Sequence, residues 1–529
     1  MKARYYLLLA VLGFGISFSV ARMQSFPGYL DSDYYFGGGL QLVTGHGFTE
    51  PYIWNYLDDP PGLPHPSHTY WLPLSSVLAA LGMSLTGQWT YAAGRLAFLV
   101  LAGLTPVATA SLAYSFSHRT ELAMVSGMLA VFSGYYAPFL PVTDNYAPYL
   151  VLGALFFLVL KSRRTLASLA LGGLAGLMAL ARSDGLLWLG LAVAATLARH
   201  LSLAWPSSEA GGASQIFERP RQRRCDAALQ SVIVLAAFLL VTGAWFYRTY
   251  VLYGTLLAPG GSKLLWLRNY DETFLYPANQ LTFGRWIAQG WQAILGARLS
   301  ALRWNLMNAL AAQGELFLVP FILAGAWTHR RDLRVLVGVV AWAALLFVMT
   351  LLFPFAGARG GFFHAGAALQ SLWWALAPLG LETSVAAARR RNWFTPRAFT
   401  VFRGALVGMA ILITAAIIWL RVLPGWGEGE QTYPELERYL ERNGIQAGEP
   451  VMVRNPPGYF VMTGRPAVVV PYGDADAMLA VAARYRVHYL IIESAGAAGP
   501  IRSVYEDLHN PDLQFLGQID GTRLFRIPP

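Results

Sequence analysis

The residues able to do chemistry in this sequence are few, and they cluster in short polar segments between long apolar runs. Asp31-Ser32-Asp33-Tyr34-Tyr35 comes first. Two carboxylates two residues apart can hold a metal or supply a general base. Enclosure at a membrane interface lifts an aspartate toward the pH range where a base is useful. Either Asp31 or Asp33 fits that role. Next comes Asp58-Asp59-Pro60-Pro61-Gly62-Leu63-Pro64-His65-Pro66-Ser67-His68. His65 and His68, with Asp58 or Asp59, are candidate ligands for a divalent cation, although the prolines withhold the helical geometry that would align both imidazoles. Asp31, Asp33, His65 and His68 together form the candidate metal set, suited to Mg²⁺ or Mn²⁺. Asp144 heads an apolar run, where a carboxylate must be paired or wet. Arg182-Ser183-Asp184, Arg248 and the pair Arg359 and His364 occupy three further turns. One arginine at a helix end is an ordinary snorkelling anchor. Three on separate turns, facing carboxylates, describe an anion pocket, most simply for phosphate.

The segments that must position these groups are membrane spans. The chain is 55% hydrophobic and 13% charged, against about 25% charged in soluble domains. Eleven stretches are long and apolar enough to span: 5–22, 95–116, 120–138, 144–160, 165–182, 184–203, 228–248, 305–327, 334–354, 362–384 and 399–421. The first reads as a membrane helix rather than a cleaved signal. The net charge of +10 sits mostly in short loops: Lys161 to Arg164, Arg219 to Arg224, His329 to Arg334 and Arg389 to Arg391. That is the positive-inside bias, with anionic lipid as a secondary contact; no nucleic-acid partner follows from it. The sorting works only if 70–87 does not cross, so this segment is expected as a juxtamembrane or re-entrant helix. The candidate chemistry then gathers on the extracytoplasmic side of a multi-pass plasma-membrane protein.

Two outer loops are large, 23–94 and 249–304, the second with an amphipathic stretch at 281–303 expected in the headgroup plane. Residues 1–421 form the expected membrane domain. Residues 428–529 alternate strand and helix patterns and read as a small outer α/β domain. The fold class is therefore α-helical polytopic, with about eleven spans and a small C-terminal α/β domain. Gly37-Gly38-Gly39 lacks the Lys-Ser/Thr of a phosphate-binding loop and suits close helix packing. The single cysteine, Cys225, excludes a disulfide within the chain.

Four places resemble the GT-C integral-membrane glycosyltransferases, in the group of the protein O-mannosyltransferases, the lipid A aminoarabinose transferase and the RgtA/B/C/D-like enzymes. They are Asp31 to Tyr35 with the later His65-Pro66-Ser67; Asp144; Ala181-Arg182-Ser183-Asp184-Gly185-Leu186-Leu187; and Trp245-Phe246-Tyr247-Arg248-Thr249-Tyr250 with Tyr253-Gly254-Thr255. Asp31-Ser32-Asp33 stands where the group has an acidic pair, and Ser67 and Thr249 replace a Pro and an Asn. The resemblance implies a polyprenyl-phosphate sugar donor, inverting transfer to a hydroxyl or amine of a lipid, glycan or protein acceptor, and an outer-facing aspartate as base. On the residues themselves, Arg248 and Arg359, then Arg182 and His364, are expected on the donor phosphate, Asp144 is expected to assist with the acceptor or a metal, and Asp184, His65 and Tyr34 are expected as further substrate contacts. A lipid-linked sugar transporter or a non-catalytic polysaccharide-assembly protein is the alternative. Transporters favour broken helices at the midplane, whereas the polar groups here sit at helix ends.

Overall fold

The computed structural model describes residues 1–201, 220–392, 395, 397–494, 499–508 and 511–528. Arg219 of the second basic loop lies outside the described residues. Helices occupy the apolar segments: α1 (Ala3–Ala21), α2 (Leu30–Val43), α3 (Leu74–Thr86), α4 (Leu96–Ser117), α5 (Thr120–Val131), α6 (Tyr146–Val159), α7 (Thr165–Ala181), α8 (Gly185–His200), α9 (Pro220–Tyr253), α10 (Trp291–Asn308), α11 (Val319–Thr328), α12 (Leu333–Phe347), α13 (Phe362–Arg390) and α14 (Ala398–Arg421). Among the described residues, five stretches are long and apolar enough to cross a bilayer by themselves: Ala3–Ala21, Tyr91–Ser117, Gln222–Tyr253, Leu333–Leu352 and Ala398–Arg421. Shorter apolar helices, α5, α6, α7, α8 and α11 among them, complete the bundle. The chain is an integral membrane protein of mostly helical, polytopic architecture.

One helix organises the interior. α13 is buried almost continuously from Ala365 to Leu381 because small residues let its neighbours approach to backbone contact. A Cβ on Gly153 of α6 would lie 1.9 Å from the Ala368 carbonyl, and one on Gly380 would lie 1.8 Å from the Phe321 carbonyl. Such close approach is how membrane helices gain packing energy without a hydrophobic drive between them. Segment 70–87 yields only α3, of 13 residues. α3 lies along α2: a Cβ on Gly38 would meet Ser76 Oγ at 2.5 Å, and one on Gly39 would meet Ala79 Cβ at 2.9 Å. The glycine run thus serves helix packing.

Three expected boundaries move. The stretch 120–138 ends as an α-helix at Val131, and a 3-10 turn follows at Gly134–Phe139. The apolar stretch 305–327 is not one helix. α10 runs into a π-helical turn at Ala309–Gln313, Glu315 and Leu316 then adopt left-handed backbone at φ 45° and 62°, and α11 begins at Val319. The Trp374 indole donates to Glu315 Oε1 at 2.6 Å at the reversal, while Glu315 Oε2 is buried without a hydrogen-bond partner. The stretch 281–303 divides at Gly290, and α10 exposes Trp291, Leu295, Leu299 and Trp304 along its length.

The C-terminal part folds as a mixed sheet, and it is not self-contained. Strands pair as β1 (Thr49–Glu50) with β3 (His65–Pro66), and as a six-stranded sheet ordered β2-β5-β4-β6-β8-β7. Its members are β2 (Tyr52–Ile53), β4 (Val451–Val453), β5 (Ala467–Val469), β6 (Tyr489–Ile492), β7 (Gln514–Ile519) and β8 (Thr522–Arg526). β2, β5, β4 and β6 run parallel, and β8 and β7 close the sheet antiparallel. β2 belongs to the loop 23–94. One apolar core joins Ile53, Tyr56 and Leu57 of that loop, Leu267, Leu275 and Leu281 of the second, and Met452, Val468, Met478 and Val481. Polar ties run the same way: Tyr485 donates to the Pro60 carbonyl at 2.9 Å, and Arg484 pairs with Asp59 at 2.9 Å. The helix α15 (Pro456–Thr463), capped by Asn455, then packs against α2. The small sheet therefore holds the loops 23–94 and 249–304 in place against each other and against α2.

Candidate active site

α2 separates the two aspartates that the sequence could not separate. At about 100° per residue, positions two apart face opposite ways. Asp31 and Tyr35 share the face toward the turn before α6, and Asp33 shares the other with Gly37. The first face is pinned by short bonds. Ser32 Oγ meets Thr143 Oγ1 at 3.0 Å, the Asn145 amide donates to the Tyr35 oxygen at 2.6 Å, and Ser75 donates to Asn145 Oδ1 at 2.6 Å.

Asp31 meets Asp144 and His364 there. One ligand atom from each lies within 4.8 Å of the others. His364, in the first turn of α13, stands between the carboxylates, with Nε2 at 3.8 Å from Asp31 Oδ2 and Nδ1 at 3.8 Å from Asp144 Oδ1. Its ring stacks on Tyr146 at 4.1 Å. Asp144 is fully buried, and its oxygens accept from the Tyr29 hydroxyl at 2.6 Å and the Asn145 backbone N–H at 2.5 Å. Asp31 keeps 28% side-chain exposure. Enclosure, then the Asp144 charge, hold its carboxyl well above the usual aspartate range, while Arg182 pulls the other way.

Arg182 ends α7 and supplies the local cation. Its Nε donates to Asp184 Oδ1 at 2.7 Å, and Nη2 reaches the Gly361 carbonyl at 3.5 Å. Asp184 also accepts from Tyr149 at 3.3 Å, so it steadies the guanidinium. Arg359 is exposed on a π-helical turn, Gly357–Gly361, where Gly360 has φ 122°. Its guanidinium lies over Tyr270 at 4.6 Å, and Tyr270 is an electrostatic neighbour of Asp31. Tyr70 is another.

Asp33 lies elsewhere. Fully buried, it accepts from Asn455 Nδ2 at 2.9 Å. The same amide reaches Glu430 Oε1 at 3.4 Å, and Glu430 Oε2 accepts from the Gly28 N–H at 3.1 Å. Burial pushes Asp33 up to about 7. Burial first, then the facing Asp33 carboxylate, raise Glu430 far above the carboxylate range. Two buried acids this close hold a proton between them. The pair clamps the back of α2 to the C-terminal sheet.

The remaining candidates form a third group. Arg248, in the last turns of α9, lies over Trp245 at 4.6 Å and donates to the Phe48 carbonyl at 2.9 Å. Its electrostatic neighbours are Tyr253, Tyr34 and Glu50, not Asp31. His65 contacts Glu50 at 3.1 Å and the Tyr52 carbonyl at 3.0 Å. His68 lies between Ser67 Oγ at 2.7 Å and Ser76 Oγ at 2.8 Å. Burial pushes the two imidazoles down to about 4 and about 3. Tyr34 accepts from the His68 N–H at 2.7 Å and packs edge-on against Trp71. A cavity of about 160 Å³, lined by Glu50, Asn55, Asp58, His65 and Tyr253 among others, opens beside this group. The metal set read from the sequence is thus split: Asp31 is in one cluster, Asp33 in a second, His65 and His68 in a third. Tyr29, Glu430, Asn455 and Tyr270 escaped the sequence reading. Tyr29 alone carried a signal, as the residue at the start of the acidic cluster.

The sequence matches no protein-family model and no curated protein. Solved structures do match it. ArnT from Cupriavidus metallidurans, bound to undecaprenyl phosphate, aligns with 99% of this chain and 98% of its own at a TM-score of 0.55 and 13% identity. The Archaeoglobus fulgidus oligosaccharyltransferase in complex with Zn and sulfate aligns with 94% of this chain and 69% of its own at 0.56 and 13%; its apo form gives 95%, 71%, 0.54 and 13%. These matches support no narrower RgtA/B/C/D-like grouping. Over nearly its whole length the chain has the fold of the GT-C membrane glycosyltransferases.

Proposed function

We propose that the protein transfers a sugar from a polyprenyl-phosphate donor to a hydroxyl or amine, with inversion, on the extracytoplasmic face of the plasma membrane. The observation that carries this reading is the convergence of Asp31, Asp144 and His364, drawn from three elements, beside the steadied guanidinium of Arg182. The fold shared with an undecaprenyl-phosphate-bound transferase supports the donor class. Residues 1–421 would form the membrane domain, with eleven spans, and 428–529 the outer domain that fixes its loops.

Asp31 is the base. It is the one carboxylate of the cluster that combines an elevated proton affinity with exposure. It takes the acceptor proton as the acceptor oxygen or nitrogen bonds to the anomeric carbon. The bond from that carbon to phosphate oxygen breaks, and its electron pair leaves with the polyprenyl phosphate. Arg182 and Arg359 hold the growing phosphate charge. Arg248, with His65, Asp184 and Tyr34, acts less directly, by shaping the neighbouring cavity and the site walls. Asp33 is structural.

The cluster also fits a divalent cation. His364 Nδ1 is buried without a hydrogen-bond partner, and two carboxylates with an imidazole suit Mn²⁺ or a similar ion better than Mg²⁺. Asp144 and His364 would hold it with Asp31, and it would supply positive charge near the leaving phosphate.

Purified protein with radiolabelled undecaprenyl-phosphate sugar tests the proposal. Release of undecaprenyl phosphate, abolished by Asp31→Asn, is the expected result. Passage of intact lipid across liposomes without sugar release would establish a transporter instead.

A further inference from the structure

At the end of the bundle away from the carboxylates, a second cavity of about 410 Å³ opens between the ends of α4, α11 and α13. His364 and Arg390 lie at opposite ends of α13, so the two sites are roughly 40 Å apart along the helix. The cavity is lined by Ser117, Arg119, Leu122, His329, Leu379, Glu382, Thr383, Ala386 and Arg390. The lining divides by chemistry. Exposed Ala386 and the edges of the otherwise buried Leu122 and Leu379 form an apolar wall. Ser117, Thr383, Arg119, Arg390 and His329 form a polar rim, in which Ser117, Thr383 and His329 already bond the Ala113, Leu379 and Gly325 carbonyls. Glu382, the one acid in the lining, is paired with Arg119. Arg390 is exposed and pairs with no acid among the described residues. Arg330 lies beside the rim, stacked over the exposed Trp327 at 4.6 Å. A tryptophan and arginines at one level mark the headgroup plane.

We infer that this cavity binds the phosphate of an anionic phospholipid from the cytoplasmic leaflet, with the first acyl carbons against Leu122, Leu379 and Ala386. Basic pockets between membrane helices on this side suit such headgroups. A free phosphate would pair with Arg390 but leave the apolar wall without a partner. A zwitterionic lipid would bring its own cation against Arg390. The apolar wall beside the unpaired Arg390 therefore selects a lipid anion over both.

Thermal unfolding of the full-length protein in neutral detergent tests this. Added phosphatidylglycerol should raise the unfolding temperature saturably, whereas phosphatidylcholine and inorganic phosphate at equal phosphorus should not. Arg390→Gln should weaken the apparent affinity about fivefold, the effect of one surface charge, and Arg390→Lys should largely restore it. Ala386→Trp fills the cavity without changing charge and should abolish the saturable shift. Arg163→Gln and Arg164→Gln remove the same charge from the α6–α7 turn and should leave it intact. Equal loss in those two, an undiminished shift in Ala386→Trp, or an equal response to inorganic phosphate would overturn the assignment. A variant that does not fold shows no cooperative transition; the fully charged Ala386→Trp and the charge-retaining Arg390→Lys then decide.

Discussion

The separation of Asp31 from Asp33 gives the most discriminating prediction, because asparagine at either position changes one atom of the side chain. Asp31→Asn removes the proton acceptor and should cost roughly 10²- to 10⁴-fold in turnover, the usual worth of a general base, with the unfolding temperature little changed. Asp33→Asn should keep turnover within a few-fold, and its effect should appear in stability. Asp33 sits at about 7 in the fold against an ordinary 3.8. The native state therefore keeps a proton that the unfolded chain releases between those values. The contribution of Asp33 to stability is fully present below about pH 4, falls as pH rises through that window, and is gone above about 7. Three units at about 1.4 kcal/mol each place a ceiling of roughly 4 kcal/mol on the loss. An amide at position 33 needs no proton and can donate to Glu430. The variant should thus unfold at a higher temperature than wild type at pH 8, and the difference should shrink toward pH 4. Scanning fluorimetry from pH 4 to 8, with donor turnover measured on the same preparations, reads both quantities. Loss of turnover in Asp33→Asn at wild-type stability, with Asp31→Asn active, would show that the assignment of the two aspartates is reversed.

Arg182→Gln should raise the Kd for undecaprenyl phosphate about 10- to 100-fold, since a charged hydrogen bond contributes roughly 1.5 to 3 kcal/mol; calorimetry in detergent checks it, and Arg248→Gln should change it far less. His364→Ala should abolish binding of Mn²⁺ to the cluster, followed by paramagnetic resonance, while His65→Ala and His68→Ala should leave it unchanged. Gly380→Ala places a Cβ 1.8 Å from the Phe321 carbonyl and should cost about 1 to 3 kcal/mol by overpacking, seen as a lower unfolding temperature. Chains truncated after Arg421 should fail to yield a monodisperse protein in detergent, because Ile53, Tyr56 and Leu275 lose the core that covers them.

What the sequence made legible follows from range. Apolar run length is a local property, and so the helices that Asp144 precedes, Arg182 ends and His364 opens fall close to where hydropathy places them. Strand patterns in the last hundred residues are local too, which is why β4, β5, β6 and β8 were readable. β7 was not: its irregular pairing at Phe515 to Gly517 breaks the period-two signal. β2 was not either, because two residues carry no periodicity at all, and only the pairing of Tyr52 with Ala467 makes them a strand. Site residues divide the same way. Asp31, Asp144, Arg182 and His364 announce themselves as polar groups at the ends of apolar runs, where the cost of burial demands a purpose. Their grouping is another matter. Asp33 looked equivalent to Asp31 until a helix turned it by about 200°, and its partner Glu430 lies 397 positions later in a stretch with nothing to single it out. His65 and His68 looked like ligands because histidine spacing is visible in a sequence and satisfaction by Glu50, Ser67 and Ser76 is not. A pocket built from three chain-distant elements becomes legible only once the clamp behind it is seen. Asn455 and Glu430 grip the face of α2 that carries Asp33, and the opposite face presents Asp31 to Asp144 and His364.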